Sequence, residues 1–141
     1  MIRYIRTPSE IDESALTAIY GDCPDMIRFL RRVFFTQPGD LLAILEKEST
    51  PVCALRLEAY QDGLLLEALE TSPAHRRQGY ASALIREVLA SLPQGTTVYA
   101  HVEKRNTPSL RTHLSCGFQV WKDSAAMVDG TVTTRYATLK F

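Results

Sequence analysis

Between an apolar run that closes at Thr71-Ser72-Pro73 and an amphipathic pattern that begins near Tyr80 lies the hexapeptide Arg76-Arg77-Gln78-Gly79-Tyr80-Ala81. A glycine at the mouth of a helix lets an anion approach backbone N–H groups that have no partner within the helix. The helix dipole adds partial positive charge at that end, and Arg76 and Arg77 add more. A strand, a basic glycine turn and a helix in succession make an anion cradle. By itself such a turn is a weak signal, because many glycine turns bind nothing.

The flanking segments say what kind of fold carries it. Met1–Arg6 reads as a first strand. Ser9 with Asp12 three residues on resembles a capping arrangement, and Ile11, Ala15 and Ile19 predict a helix over about 9–20. Pro24 opens a second helix whose apolar stripe is Met26, Ile27, Leu30, Val33 and Phe34, ended by Gln37-Pro38-Gly39-Asp40. Leu41–Lys47 and Val52–Tyr60 read as strands around a turn at 48–51, and Asp62-Gly63 as a hairpin turn into Leu64–Thr71.

Beyond the basic turn, Leu84, Ile85, Val88, Leu89 and Leu92 form one helix face, stopped by Pro93-Gln94-Gly95. Thr96–Val102 is a strand by composition, and Thr107-Pro108 begins a short helix that Cys116-Gly117 ends. Phe118–Val128 and Thr131–Phe141 complete a closing hairpin about Asp129-Gly130. The order β-α-α-β-β-β-α-β-α-β-β is that of a mixed α/β domain, and no repeat or linker divides residues 1–141.

Sixteen basic and sixteen acidic side chains cancel, which argues against a broad grip on nucleic acid. No apolar stretch approaches the roughly 18 residues of a membrane span, and no signal-peptide pattern opens the chain. Cys23, Cys53 and Cys116 are widely spaced and lack a C-x-x-C pair. Reduced thiols in a cytoplasmic protein are expected, without a metal site.

A second constellation follows the turn. Ser109 lies three residues after Asn106, His113 seven after and Gly117-Phe118 eleven after. On a helix Ser109 and His113 are one turn apart on one face. Here the chain resembles the GNAT superfamily of acetyl-CoA-dependent N-acetyltransferases over nearly its full length. The family's phosphate signature Q/R-x-x-G-x-G/A is matched by Arg76, Gly79 and Ala81. Its later signature is matched by Asn106, Ser109, Gly117 and Phe118, with His113 where Tyr is usual. Together the two motifs, about 27 residues apart, are specific.

The resemblance implies a mixed, mostly antiparallel sheet of about seven strands whose central pair, Leu64–Thr71 and Thr96–Val102, splays to admit acetyl-CoA. It implies that backbone groups of Leu69 and Thr71 pair with the pantetheine arm. Arg76, Arg77, Gln78, Gly79, Tyr80, Ala81 and Ser82 would hold the pyrophosphate, and Asn106 and Ser109 would contact the co-substrate from the other side. The acceptor would be a primary amine of a small molecule or peptide, framed by the first two helices and the closing hairpin. A domain that binds acyl-CoA without turnover is the alternative. Monomer and homodimer both fit.

Acetylating an amine requires removing its proton, aligning it with the thioester and stabilising the leaving thiolate. For the last, the register of His113 suggests a proton donor or thiolate hydrogen-bond donor; an imidazolium (pKa ~6.5) is about two units more acidic than a thiol (~8.5). For the base, Glu67, Glu70 and His101 are candidates. Strict alternation places Glu67 with Leu65, Leu69 and Thr71 on one face and Glu70 on the other. Cys116 reads as a buried structural cysteine, because a helix carboxyl end disfavours a thiolate.

Overall fold

The apolar runs 41–44 and 52–55 are buried at every position, so the sheet they build is covered on both faces. The computed structural model describes residues 1–141. Its strands are β1 (Ile2–Ile5), β2 (Leu41–Lys47), β3 (Thr50–Tyr60), β4 (Gly63–Thr71), β5 (Val98–Glu103), β6 (Gln119–Lys122), β7 (Ala125–Ala126), β8 (Val132–Thr133) and β9 (Tyr136–Lys140). The helices are α1 (Glu13–Tyr20), α2 (Pro24–Phe29), α3 (Tyr80–Ser91) and α4 (Thr107–Ser115). Seven strands form one sheet in the order β1-β2-β3-β4-β5-β9-β6, and only β4 and β5 run parallel. No helix is long and apolar enough to cross a membrane.

Leu84, Ile85, Val88 and Leu89 of α3 pack on one face with Leu55, Leu57, Leu66 and Val102, in a cluster of 17 buried residues. Ala15, Leu16 and Ile19 of α1, with Leu30 and Phe34, cover the other face in a cluster of nine. At roughly 1.5–3 kcal/mol for each large apolar side chain buried, these two layers are the main source of stability.

Several boundaries differ from the sequence pattern. The first helix begins at Glu13 because Ile11 and Asp12 are extended. Pro8–Glu10 is a separate 3₁₀ turn, and Asp12, not Ser9, caps α1 by accepting from Ala15 N at 3.0 Å. α2 runs on into a π-helical turn, Leu30–Phe34, whose wider pitch keeps Leu30 and Phe34 inside and turns Val33 outward. The β3–β4 turn is Gln61-Asp62, one residue before the expected pair. Gly63 is already in the strand, where a Cβ would lie 2.1 Å from the Thr97 carbonyl oxygen. The closing hairpin is split. β6 pairs with β9, whereas β7 and β8 form their own two-stranded ribbon about Asp129-Gly130.

Candidate active site

β4 and β5 pair over only three registers, Leu64–Val98, Leu65–Tyr99 and Leu66–Ala100. Beyond Leu66 the strands diverge. Between them opens a cleft of about 210 Å³, lined by Glu67, Leu69, His101, Asn106, Ser109 and His113 among others. Backbone groups of Glu67–Thr71 on this side have no partner from β5. Two of their carbonyls have side-chain partners, Ala68 from Tyr20 and Thr71 from Arg76.

The divergence is accompanied by a bulge. Ala68 has φ of 53°, and the β3–β4 register slips between Ala54 and Arg56. Arg56 lies opposite Glu67 and Ala54 opposite Glu70. Arg56 and Ala54 are two residues apart and share a face, so Glu67 and Glu70 share it too. This corrects the strict alternation expected of this strand. Thr71 is turned to the other face, where its hydroxyl donates to Cys53 Sγ at 3.4 Å, and Leu69 packs against the larger core.

The Tyr20 hydroxyl at the end of α1 donates to the Ala68 carbonyl at 2.5 Å and pins the bulge. Burial raises the phenol pKa far above its ordinary value, so the hydroxyl remains a donor. Tyr20→Phe leaves that carbonyl without a partner, at a cost of about 1–3 kcal/mol. It should also displace the acid limb of the pH–rate profile, because the bulge sets where Glu67 points. Lower stability with an unmoved profile would make Tyr20 a structural residue only.

Glu67 is the one side chain shared by the cleft and by a larger cavity of about 510 Å³ on the α1/α2 face. Burial pushes its carboxyl up to about 7, opposed by Arg56 and reinforced by Glu58. Arg56 Nε stands 3.5 Å from Glu67 Oε1, an ion pair without a hydrogen bond. Its guanidinium carbon lies 5.5 and 5.4 Å from the Phe29 and Phe34 ring centroids. Nothing local in the sequence marks Arg56; only the cross-strand register joins it to Glu67. Glu70 lines neither cavity, and its carboxylate accepts from Arg76 at 3.2 Å.

His113 is buried on α4, its Nδ1 2.7 Å from the Ser109 carbonyl and 3.4 Å from the Ser109 hydroxyl. A carbonyl only accepts, so Nδ1 carries the proton and Nε2 presents a lone pair. Burial lowers the ring's pKa despite the Ser109 bond, against the standing imidazolium that a resident proton donor needs. His101 is similar. Its Nδ1 donates to Thr138 Oγ1 at 3.0 Å, since that hydroxyl is itself committed to the Ser124 carbonyl, and burial lowers its pKa. Cys116 is buried, its Sγ 3.7 Å from the Ser82 carbonyl.

The basic turn leads into α3 through Gly79, with φ of 82° and no side-chain cap on the helix. A Cβ there would meet no protein atom within 4 Å, so the space before the first N–H groups of α3 is open to a ligand. Arg77 is also left-handed at φ of 62°. Arg76 folds back, donating to Glu70 and to the Thr71 carbonyl at 3.3 Å. At the far wall Asn106 caps α4 by accepting from Ser109 N at 3.2 Å. Gly79 and the α3 terminus, the splayed strands and the α4 cap thus follow the carboxyl ends of the central pair β4 and β5, and they suit a long ligand with a phosphate group.

Known structures share this fold. An N-acetyltransferase from Staphylococcus aureus superposes with a TM-score of 0.70 at 16% identity, covering 100% of this chain and 96% of its own. The ribosomal-protein-S18-alanine N-acetyltransferase of Escherichia coli gives 0.65 at 16%, covering 99% and 91%. A Bacillus subtilis acetyltransferase in complex with CoA gives 0.68 at 10%, covering 99% and 96%. No curated protein matches the sequence significantly. The profile of the acetyltransferase (GNAT) family matches residues 7–118, most of the chain and both of its motifs, and with the splayed sheet this makes the protein a member of the GNAT acetyltransferase family.

Proposed function

We propose that the protein is an N-acetyltransferase, moving an acetyl group from acetyl-CoA to a primary amine of a small molecule or peptide by direct transfer in a ternary complex. The observation that carries this reading is Glu67, a carboxyl poised near neutrality at the junction of two cavities. Acetyl-CoA would supply an activated acetyl thioester. The α3 amino terminus with Arg77, Gln78, Gly79, Tyr80, Ala81 and Ser82 would hold its pyrophosphate, and Arg76 would shape the turn from its contact with Glu70. Backbone groups of Leu69 and Thr71 would pair with its amides, and Asn106 and Ser109 would close the far side.

Glu67 takes the proton from the incoming ammonium. Against an alkylammonium of pKa ~10.4, an ordinary carboxylate at ~4.3 faces an uphill transfer of about 8 kcal/mol. At about 7 the gap narrows to about 5 kcal/mol, burial having supplied the difference of about 3 kcal/mol in advance. Arg56 keeps the carboxyl from rising further. His113 receives the nitrogen's remaining surplus proton at Nε2 and returns it to the departing sulfur as the N–C bond forms and the C–S bond breaks. Its lowered pKa makes that return more favourable. Glu70 takes no proton in this scheme.

The test is release of free thiol with a panel of amines, read with product mass. Acetylated product with kcat/KM rising through about pH 7 is expected. His113→Ala should lower kcat about tenfold or more with the acetyl-CoA KM unmoved. Tight binding of acetyl-CoA with no product from any amine would instead favour a non-catalytic acyl-CoA-binding domain.

A further inference from the structure

The 510 Å³ cavity is large enough for a small organic ligand, and its two ends differ in chemistry. Its mouth carries Phe29 and Val33, from α2 and the π turn, and Val128, from the β7–β8 loop. These three are 36%, 56% and 63% exposed, although they come from separate segments that converge on one opening. Exposed apolar side chains gathered around a concave site mark a surface that a ligand covers.

The other end is acidic. Asp40, Glu58 and Glu67 line it against a single cation, Arg56, while Asp129 sits beside Val128 at the mouth, its carboxylate accepting from Thr131 N at 2.9 Å. The Asp40 carboxylate is engaged by the backbone N–H groups of Thr36, Gln37 and Ala59, so it contributes charge without an open acceptor site. Arg56 is committed to Glu67 and to the faces of two phenylalanines. Burial raises the Glu58 carboxyl, Arg56 opposes the rise and Asp40 adds to it. A cation entering here is attracted, and a carboxylate is repelled.

We propose that the acceptor is a primary monoamine with an apolar body and no carboxylate, of the arylalkylamine class. Its nitrogen reaches Glu67 at the cleft, and its body lies between Phe29, Val33 and Val128. A second ammonium at the mouth would find only Asp129, whose carboxylate is already engaged by Thr131 N, so diamines fit less well. An α-amino acid would bring its carboxylate against Glu58 and Glu67.

This inference rests on the N-acetyltransferase reading, and one comparison separates the two. Acetyl transfer is measured to 2-phenylethylamine, to L-phenylalanine (the same body with a carboxylate), to 1,4-diaminobutane and to a tetrapeptide with a free amino terminus. The kcat/KM for 2-phenylethylamine should exceed each of the others at least tenfold. Phe29→Ala and Val128→Ser should each lower it at least fivefold while leaving the acetyl-CoA KM unchanged; the exposed Val128 carries the test if Phe29→Ala unfolds. Preference for any other acceptor, or indifference to both substitutions, overturns the substrate class and leaves the transferase reading standing. No product from any amine overturns both.

Discussion

Glu67→Gln is expected to lower kcat/KM by roughly 10²–10⁴-fold, the range that a positioned general base contributes, and to leave the affinity for acetyl-CoA unchanged. Glutamine keeps the size and the polar contacts but cannot take a proton. The loss should therefore appear in turnover, measured by thiol release, with the Kd for acetyl-CoA followed by calorimetry. A kcat/KM within threefold of the parent would assign the base elsewhere. The substitution has a second readout in stability. The folded-state pKa of about 7 lies above the ordinary 4.5, so the folded protein binds the extra proton between those values. The penalty is absent below 4.5 and complete above 7, and it amounts to about 3 kcal/mol. Urea unfolding at pH 4.5 and pH 8 should show the gap between variant and parent shifting in the variant's favour at the higher pH.

Gly79→Ala should weaken acetyl-CoA binding tenfold or more, and Gly95 provides its internal control. Both glycines are left-handed, at φ of 82° and 85°, and neither has a protein atom within 4 Å of the position a Cβ would take. They flank α3 at opposite ends. Each Ala variant therefore meets a similar backbone strain of about 1–2 kcal/mol and should lower thermal stability to a similar degree. Only the methyl at Gly79 enters the space before the α3 amino terminus. Matched stabilities with a Kd that changes at Gly79 alone is the expected result. Equal effects on Kd would mean that the turn binds nothing and that strain alone was measured.

Local chemistry made some of this site legible in the sequence. Gly79 before an amphipathic run, and Asn106-Thr107-Pro108-Ser109 as a helix opening, are set by backbone requirements within a few residues, and both stand where the spacing put them. Glu67 was reachable as a strand carboxylate. Its orientation relative to Glu70 was not, because the bulge at Ala68 occupies a left-handed conformation with a residue that carries no turn signal. What holds it there is Tyr20, 48 residues earlier. Arg56 became visible only once β3 and β4 were aligned. His113 was placed correctly beside Ser109, but its protonation depends on burial by segments far away in sequence.

The three-rung contact between β4 and β5 also bears on selectivity. A sheet is read by its neighbours through alternating N–H and C=O groups about one strand-width apart. Where the rungs stop after Leu66, β4 is left without a neighbour on that side, and the Ala68 bulge interrupts its regular alternation. A guest lying along it would be met at the intervals that the bulge leaves rather than at those of a regular strand, whatever its ends carry. On the N-acetyltransferase reading, the centre of the sheet would select the guest's linker, while the helix terminus would hold its charge and Glu67 would meet its partner.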